Sequence, residues 1–104
     1  MPNRFYIRRF LNRPGHHAGA YLLASVPDTS NWDPDAEGSP WIEFEIADCS
    51  RRVSLDFPLH TRSQRRNSLY KARLLRRSLE AFIAALEAEV RLAEARERRA
   101  RSER

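Results

Sequence analysis

Apolar and polar residues alternate most regularly between positions 42 and 57. Ile42, Phe44 and Ile46 interleave with Glu43, Glu45 and Ala47. Beyond Asp48-Cys49-Ser50-Arg51, Val53, Leu55 and Phe57 interleave with Arg52, Ser54 and Asp56. A period of two sends alternate side chains to opposite faces of a strand, so these runs predict an antiparallel hairpin with one buried face. Matching the apolar faces across a short turn pairs Ile46 with Val53, Phe44 with Leu55 and Ile42 with Phe57. Pro58 lacks an N–H and ends the second strand. Upstream, aromatic and β-branched residues predict a strand over Arg4–Phe10 and another over Ala20–Val26. Between them lies a loop with Pro14, Gly15, His16 and His17, and a polar, acidic loop over 27–40 follows.

After Pro58 the period changes. Thr61 and Gln64 have the spacing of a capping box, and no Pro or Gly follows, so a helix is predicted over 61–99 with a frayed tail at 100–104. Leu75, Leu79, Phe82, Ile83, Leu86, Val90 and Ala93 fall in one sector about 100° wide at 3.6 residues per turn, an apolar stripe that reads as core. The expected architecture is α+β. Residues 1–60 form a four-stranded antiparallel sheet (ββββ), and one long C-terminal α-helix packs on one sheet face, residues 1–104 making a single small domain. A helix of about 38 residues runs about 57 Å, whereas strands of this length cover about 20–26 Å, so the helix overhangs the sheet. Leu79, Ile83, Leu86, Val90 and Ala93 step by four and three as in a coiled-coil seam. A homodimer through residues 79–97 is expected, with Leu86, Val90 and Ala93 at the interface.

Charge changes the picture. The chain carries a net +5 with a pI near 10.3, and all but one of its 19 basic residues are arginine. Between Arg62 and Arg77 there are seven bases and no acid. Arg62, Arg65, Arg66, Arg73, Arg76 and Arg77 share a helical sector of about 120°; Tyr70 borders it, and only Lys71 points away. Crowded like charges raise the free energy of the isolated chain, and the positive end of the helix dipole is the least favourable place for them. In the second half of the helix, Glu87, Glu94 and Glu97 stand four residues before Arg91, Arg98 and Arg101, a mildly stabilising arrangement.

The unneutralised sector suits a negative partner. Guanidinium groups grip phosphate oxygens in pairs, exposed amides at the helix start add to the attraction, and Tyr70 can stack on an unpaired base. The leading expectation is a small, non-enzymatic protein contacting the backbone of DNA or RNA with weak sequence preference. The alternative is docking onto an acidic protein surface, as an accessory protein of a phage or mobile element would. A third possibility is self-neutralisation, because Asp28 to Asp48 holds seven acids and no base. Glu43, Glu45 and Asp56 make the outer sheet face acidic, so a basic sheet platform for nucleic acid is not expected.

Catalytic chemistry is sparse. Pro34-Asp35 followed by Glu43-Phe44-Glu45 loosely resembles a metal-nuclease pattern, but Glu45 stands where that pattern takes lysine. His16, His17 and His60 lack the spacing of a structural zinc site, and Cys49 has no evident catalytic partner. No enzyme activity, metal, cofactor or small-molecule substrate is expected. Trp32, among polar neighbours, reads as a partner-interface anchor. A single cysteine suits a reducing compartment. With no signal peptide evident and no apolar stretch long enough for a membrane, a cytoplasmic location is expected.

Overall fold

The two central strands pair so that Tyr21 stands opposite Ala47 and Ser25 opposite Glu43, and the rest of the sheet follows from that register. A computed structural model describes residues 2–33 and 41–103. Strands β1 (Asn3–Phe10), β2 (Tyr21–Pro27), β3 (Glu43–Asp48) and β4 (Arg51–Ser54) form one antiparallel sheet in the order β1-β2-β3-β4. Helix α1 (Arg62–Ser102) follows. This is the expected α+β layout, a four-stranded antiparallel sheet succeeded by one long C-terminal helix.

The β1–β2 and β3–β4 hairpins close as their residues dictate. In the first, Leu11 N–H donates to the Ala20 carbonyl at 2.9 Å, and His16 N–H donates to Arg13 at 3.1 Å. Pro14 and Gly15 occupy the centre of that second turn, with Gly15 at φ 96°. Proline followed by a residue of positive φ is the type II combination, which glycine adopts without steric cost. In the third hairpin Ile46 pairs with Val53 and Asp48 with Arg51. Beyond β4, Leu55 N–H still donates to Phe44 at 2.9 Å, and the Phe44 and Phe57 rings meet edge-on with centroids 6.1 Å apart. The expected pairings of Ile46 and Phe44 are therefore present. Regular pairing stops at Ser54, however, so the expected pairing of Ile42 with Phe57 lies outside the ladder, Ile42 before β3 and Phe57 beyond β4.

Alternation along these registers sorts the sheet into two faces. One carries Phe5, Ile7, Leu22, Ala24, Val26, Phe44, Ile46 and Val53, with Arg9 at its edge opposite Leu22. The other carries Tyr6, Arg8, Tyr21, Leu23, Glu43, Glu45 and Arg52. Burial is shallow. Among the described residues the buried apolar ones are Ala20, Ala24 and Ala47, while Phe5 and Val53 on the apolar face are about half exposed. A Leu, Ile or Phe side chain releases about 1.5–3 kcal/mol only when completely buried, and no large side chain among the described residues reaches that state.

The chain divides into two units, residues 1–68 and 69–104. The first holds the sheet and the opening turns of α1. There the capping box forms as predicted: Thr61 N–H donates to Gln64 Oε1 at 3.1 Å, and Gln64 N–H donates to Thr61 Oγ1 at 3.0 Å. Ser68, buried, donates from its hydroxyl to the Pro58 carbonyl at 2.8 Å. Residues 69–104 are helix as far as Ser102, three residues beyond the predicted end. Leu79, Phe82, Ile83, Leu86 and Val90 are between 43 and 61% exposed. The stripe that reads as core in the sequence is thus open in the single chain. Periodicity groups residues on a face without specifying what covers them.

Candidate functional site

All six arginines of the sector, Arg62, Arg65, Arg66, Arg73, Arg76 and Arg77, are exposed, as is Tyr70. The side chain of Arg65 is partly committed, since its Nη1 donates to the Leu59 and His60 carbonyls at 3.0 and 3.2 Å. That contact ties the chain before α1 to its first turns and leaves Nε and Nη2 for a ligand. Among the described residues, no carboxylate lies within ion-pair distance of any of the six. Elsewhere Arg4 and Asp28 form an ion pair at 3.0 Å, and His17 Nε2 lies 3.8 Å from Asp48 Oδ1. Glu87–Arg91, Glu94–Arg98 and Glu97–Arg101 do not close to ion-pair distance either. Exposed pairs on long side chains contribute little against the entropy of holding them.

A second constellation lies where the β1–β2 loop meets the β3–β4 turn. Because Tyr21 pairs with Ala47, the residues just before β2 and just after β3 share one end of the sheet. Cys49 Sγ lies 4.0 Å from both ring nitrogens of His17, and Asp48 Oδ1 lies 3.8 Å from His17 Nε2. One donor atom from each of His17, Asp48 and Cys49 falls within 4.8 Å of the others, and all three residues are exposed. Two neighbours orient the ring: Gly19 N–H donates to His17 Nδ1 at 3.2 Å, and Asn12 Nδ2 stands 3.1 Å from Nε2 while donating to the His17 carbonyl at 2.9 Å. A neutral imidazole has one lone pair and cannot accept from both at once. One contact therefore gives way readily when the ring binds anything else.

Backbone features hold this cluster together. Cys49 has φ 56°, in the left-handed region, which costs a residue with a Cβ on the order of 1 kcal/mol. The thiol is held there although glycine would suit the position better. Gly19 permits the close approach from the other side, because a Cβ on it would lie 3.1 Å from Cys49 Cα.

No family model, no characterised protein and no solved structure matches this chain.

The remaining candidates separate. Glu45 accepts from the Tyr21 hydroxyl at 2.8 Å and from Ser54 at 3.4 Å. Arg8 stands 6.0 Å from the centroid of the Tyr21 ring. Glu45 thus serves a polar network across the four strands, and among the described residues Glu43, Glu45 and Asp56 form no metal-binding group. Asp35, needed for the nuclease pattern, lies outside the described residues. Trp32 is half-buried and lines a cavity of about 400 Å³ with Ile42, Phe57 and Leu59, its indole N–H buried without a partner. Trp41 is the more open tryptophan, 76% exposed. Among the described residues, no helix is long and apolar enough to cross a membrane.

Proposed function

We propose that this protein binds the sugar–phosphate backbone of nucleic acid through the arginine face of α1, as a non-enzymatic homodimer in a reducing, cytoplasmic setting. The observation that carries this reading is the set of six exposed guanidinium groups on one side of a continuous helix, none ion-paired with a described carboxylate. Arg62 to Arg77 covers about 22 Å of helix axis, enough to meet several phosphates. Lysine would supply charge alone, whereas the planar fork also supplies paired donors matched to phosphate oxygens. Register supports assigning contact to the helix, because the sheet's polar face mixes Glu43 and Glu45 with Arg8 and Arg52 and presents no basic field. Dimerisation rests on the exposed seam of Leu79, Ile83, Leu86 and Val90, which a second copy of the helix would cover.

Titration of labelled single- and double-stranded oligonucleotides at several salt concentrations tests the proposal. Engagement of four to six phosphates gives a slope of log affinity against log salt of roughly −4 to −5. Replacing Arg73 and Arg77 together with glutamate should weaken binding uniformly across sequences and flatten that slope by about 2. Absence of binding at low salt removes the proposal. Capture of an acidic protein that depends on Arg73 and Arg77, without any binding of nucleic acid, would replace it with the docking alternative.

A further inference from the structure

We propose that His17, Asp48 and Cys49 form a three-ligand site for a zinc-class divalent transition metal, its fourth position open to water or an incoming ligand. The three donors are an imidazole nitrogen, a carboxylate oxygen and a thiol sulfur, and their ligand atoms lie within 4.8 Å of one another. Bonds of about 2.0–2.1 Å to nitrogen, 2.0–2.2 Å to oxygen and 2.3 Å to sulfur set the donor spacing around a tetrahedral zinc at roughly 3.3–3.7 Å. The sulfur–nitrogen distance is 4.0 Å and the oxygen–nitrogen distance 3.8 Å. The sulfur–oxygen pair lies within 4.8 Å, and all three side chains are exposed, so rotation about their own bonds can draw the donors together.

The donor set narrows the metal. Magnesium and calcium take oxygen ligands. A thiolate with an imidazole favours zinc and its neighbours in the first transition row. Binding takes up the metal and releases the thiol proton, forming a metal–sulfur bond without oxidation of either partner. The two-residue loop between β3 and β4 takes a positive φ at its first residue, a place that glycine fills without strain; the site gives a use to the cysteine that stands there instead.

Cobalt(II), added to chelator-treated full-length protein under a non-coordinating reductant, provides the test. The expected result is one Co²⁺ per chain, with a near-ultraviolet sulfur-to-metal charge-transfer band, intense visible bands of four-coordination and displacement by Zn²⁺. Cys49→Gly relieves the left-handed backbone, so its loss of the band cannot be laid to a failed fold. His17→Ala should also abolish binding, and Asp48→Asn should weaken it. His16→Ala and His60→Ala should bind as the parent does. The proposal is overturned if no metal binds, if bound cobalt shows no sulfur band, or if binding survives Cys49→Gly and disappears only with His16 or His60.

Discussion

Gly19 and Cys49 belong to different loops, yet a Cβ on Gly19 would lie 3.1 Å from the Cys49 Cα and 3.4 Å from its amide nitrogen. The obstacle is backbone, which cannot rotate aside as a side-chain tip can. Gly19→Ala should therefore push the β1–β2 loop away from the β3–β4 turn and cost about 1–3 kcal/mol, the range for overpacking. Cys49→Gly should do the opposite. Relief of the left-handed backbone outweighs the added freedom of the unfolded chain, for a net gain of up to about 1 kcal/mol. Urea denaturation of the two variants reads both signs, and a neutral Gly19→Ala would show that the contact is slack.

The capping box makes a second energetic claim. Thr61 Oγ1 accepts from the Gln64 amide at 3.0 Å, and Gln64 Oε1 accepts from the Thr61 amide at 3.1 Å. Thr61→Ala strips one orphan amide of its acceptor, at a cost of about 1 kcal/mol. Gln64→Ala should cost less, and the double variant should cost less than the two together, because either change breaks the reciprocal pair. Full additivity would mean the two hydrogen bonds act independently.

The box was readable because its two members sit three residues apart in one element. The β3–β4 hairpin was readable for a similar reason: alternation on both sides of a short turn leaves one register that keeps Ile46 and Val53 on the same face. His17 and Cys49 are 32 residues apart, and no local period links them. The route to that pair ran through topology. An antiparallel β2–β3 pairing necessarily brings the start of β2 beside the end of β3, and hence the loop carrying His17 beside the turn carrying Cys49. The helix stripe failed in the opposite way. Its members were readable, but its covering was not, since Leu79 to Val90 would look alike against a sheet, against a second helix or in water.

Asp28 should titrate below the usual carboxylate range. The largest cause is the Ser30 amide donating to Oδ1 at 3.0 Å, followed by the Ser30 hydroxyl at 2.7 Å, with slight desolvation opposing them and the Arg4 charge adding a smaller effect. A carboxylate whose folded pKa lies below its unfolded value contributes stability above the unfolded pKa and loses it as pH falls through the folded one. NMR titration of the side-chain carbon should place the midpoint below that of the unfolded chain. Ser30→Ala should raise the midpoint partway, and added salt should move it little. A midpoint that salt alone restores would instead give the leading role to the Arg4–Asp28 ion pair at 3.0 Å.

The exposed seam on α1 predicts a weak dimer. Leu79, Ile83, Leu86 and Val90 are 58, 43, 50 and 46% exposed. Burying the open half of such a side chain releases on the order of 1 kcal/mol. Four such residues on each of two chains give about 8 kcal/mol gross, set against an association cost of roughly 4–15 kcal/mol. The terms nearly balance, so the dimer should form at high protein concentration and dissociate on dilution. Sedimentation equilibrium over a wide concentration range should show this. Leu86→Arg places a charge in the seam and should leave only monomer. Leu92→Arg, on another side of the helix at 46% exposure, should leave association intact. An unchanged mass for the first variant, or a monomer from the second, would move the interface elsewhere. The arginine face borders the seam, so a dimer would also bring more guanidinium groups to a single duplex than one chain supplies. The salt slope of nucleic-acid binding should accordingly steepen across the same concentration range in which the mass doubles.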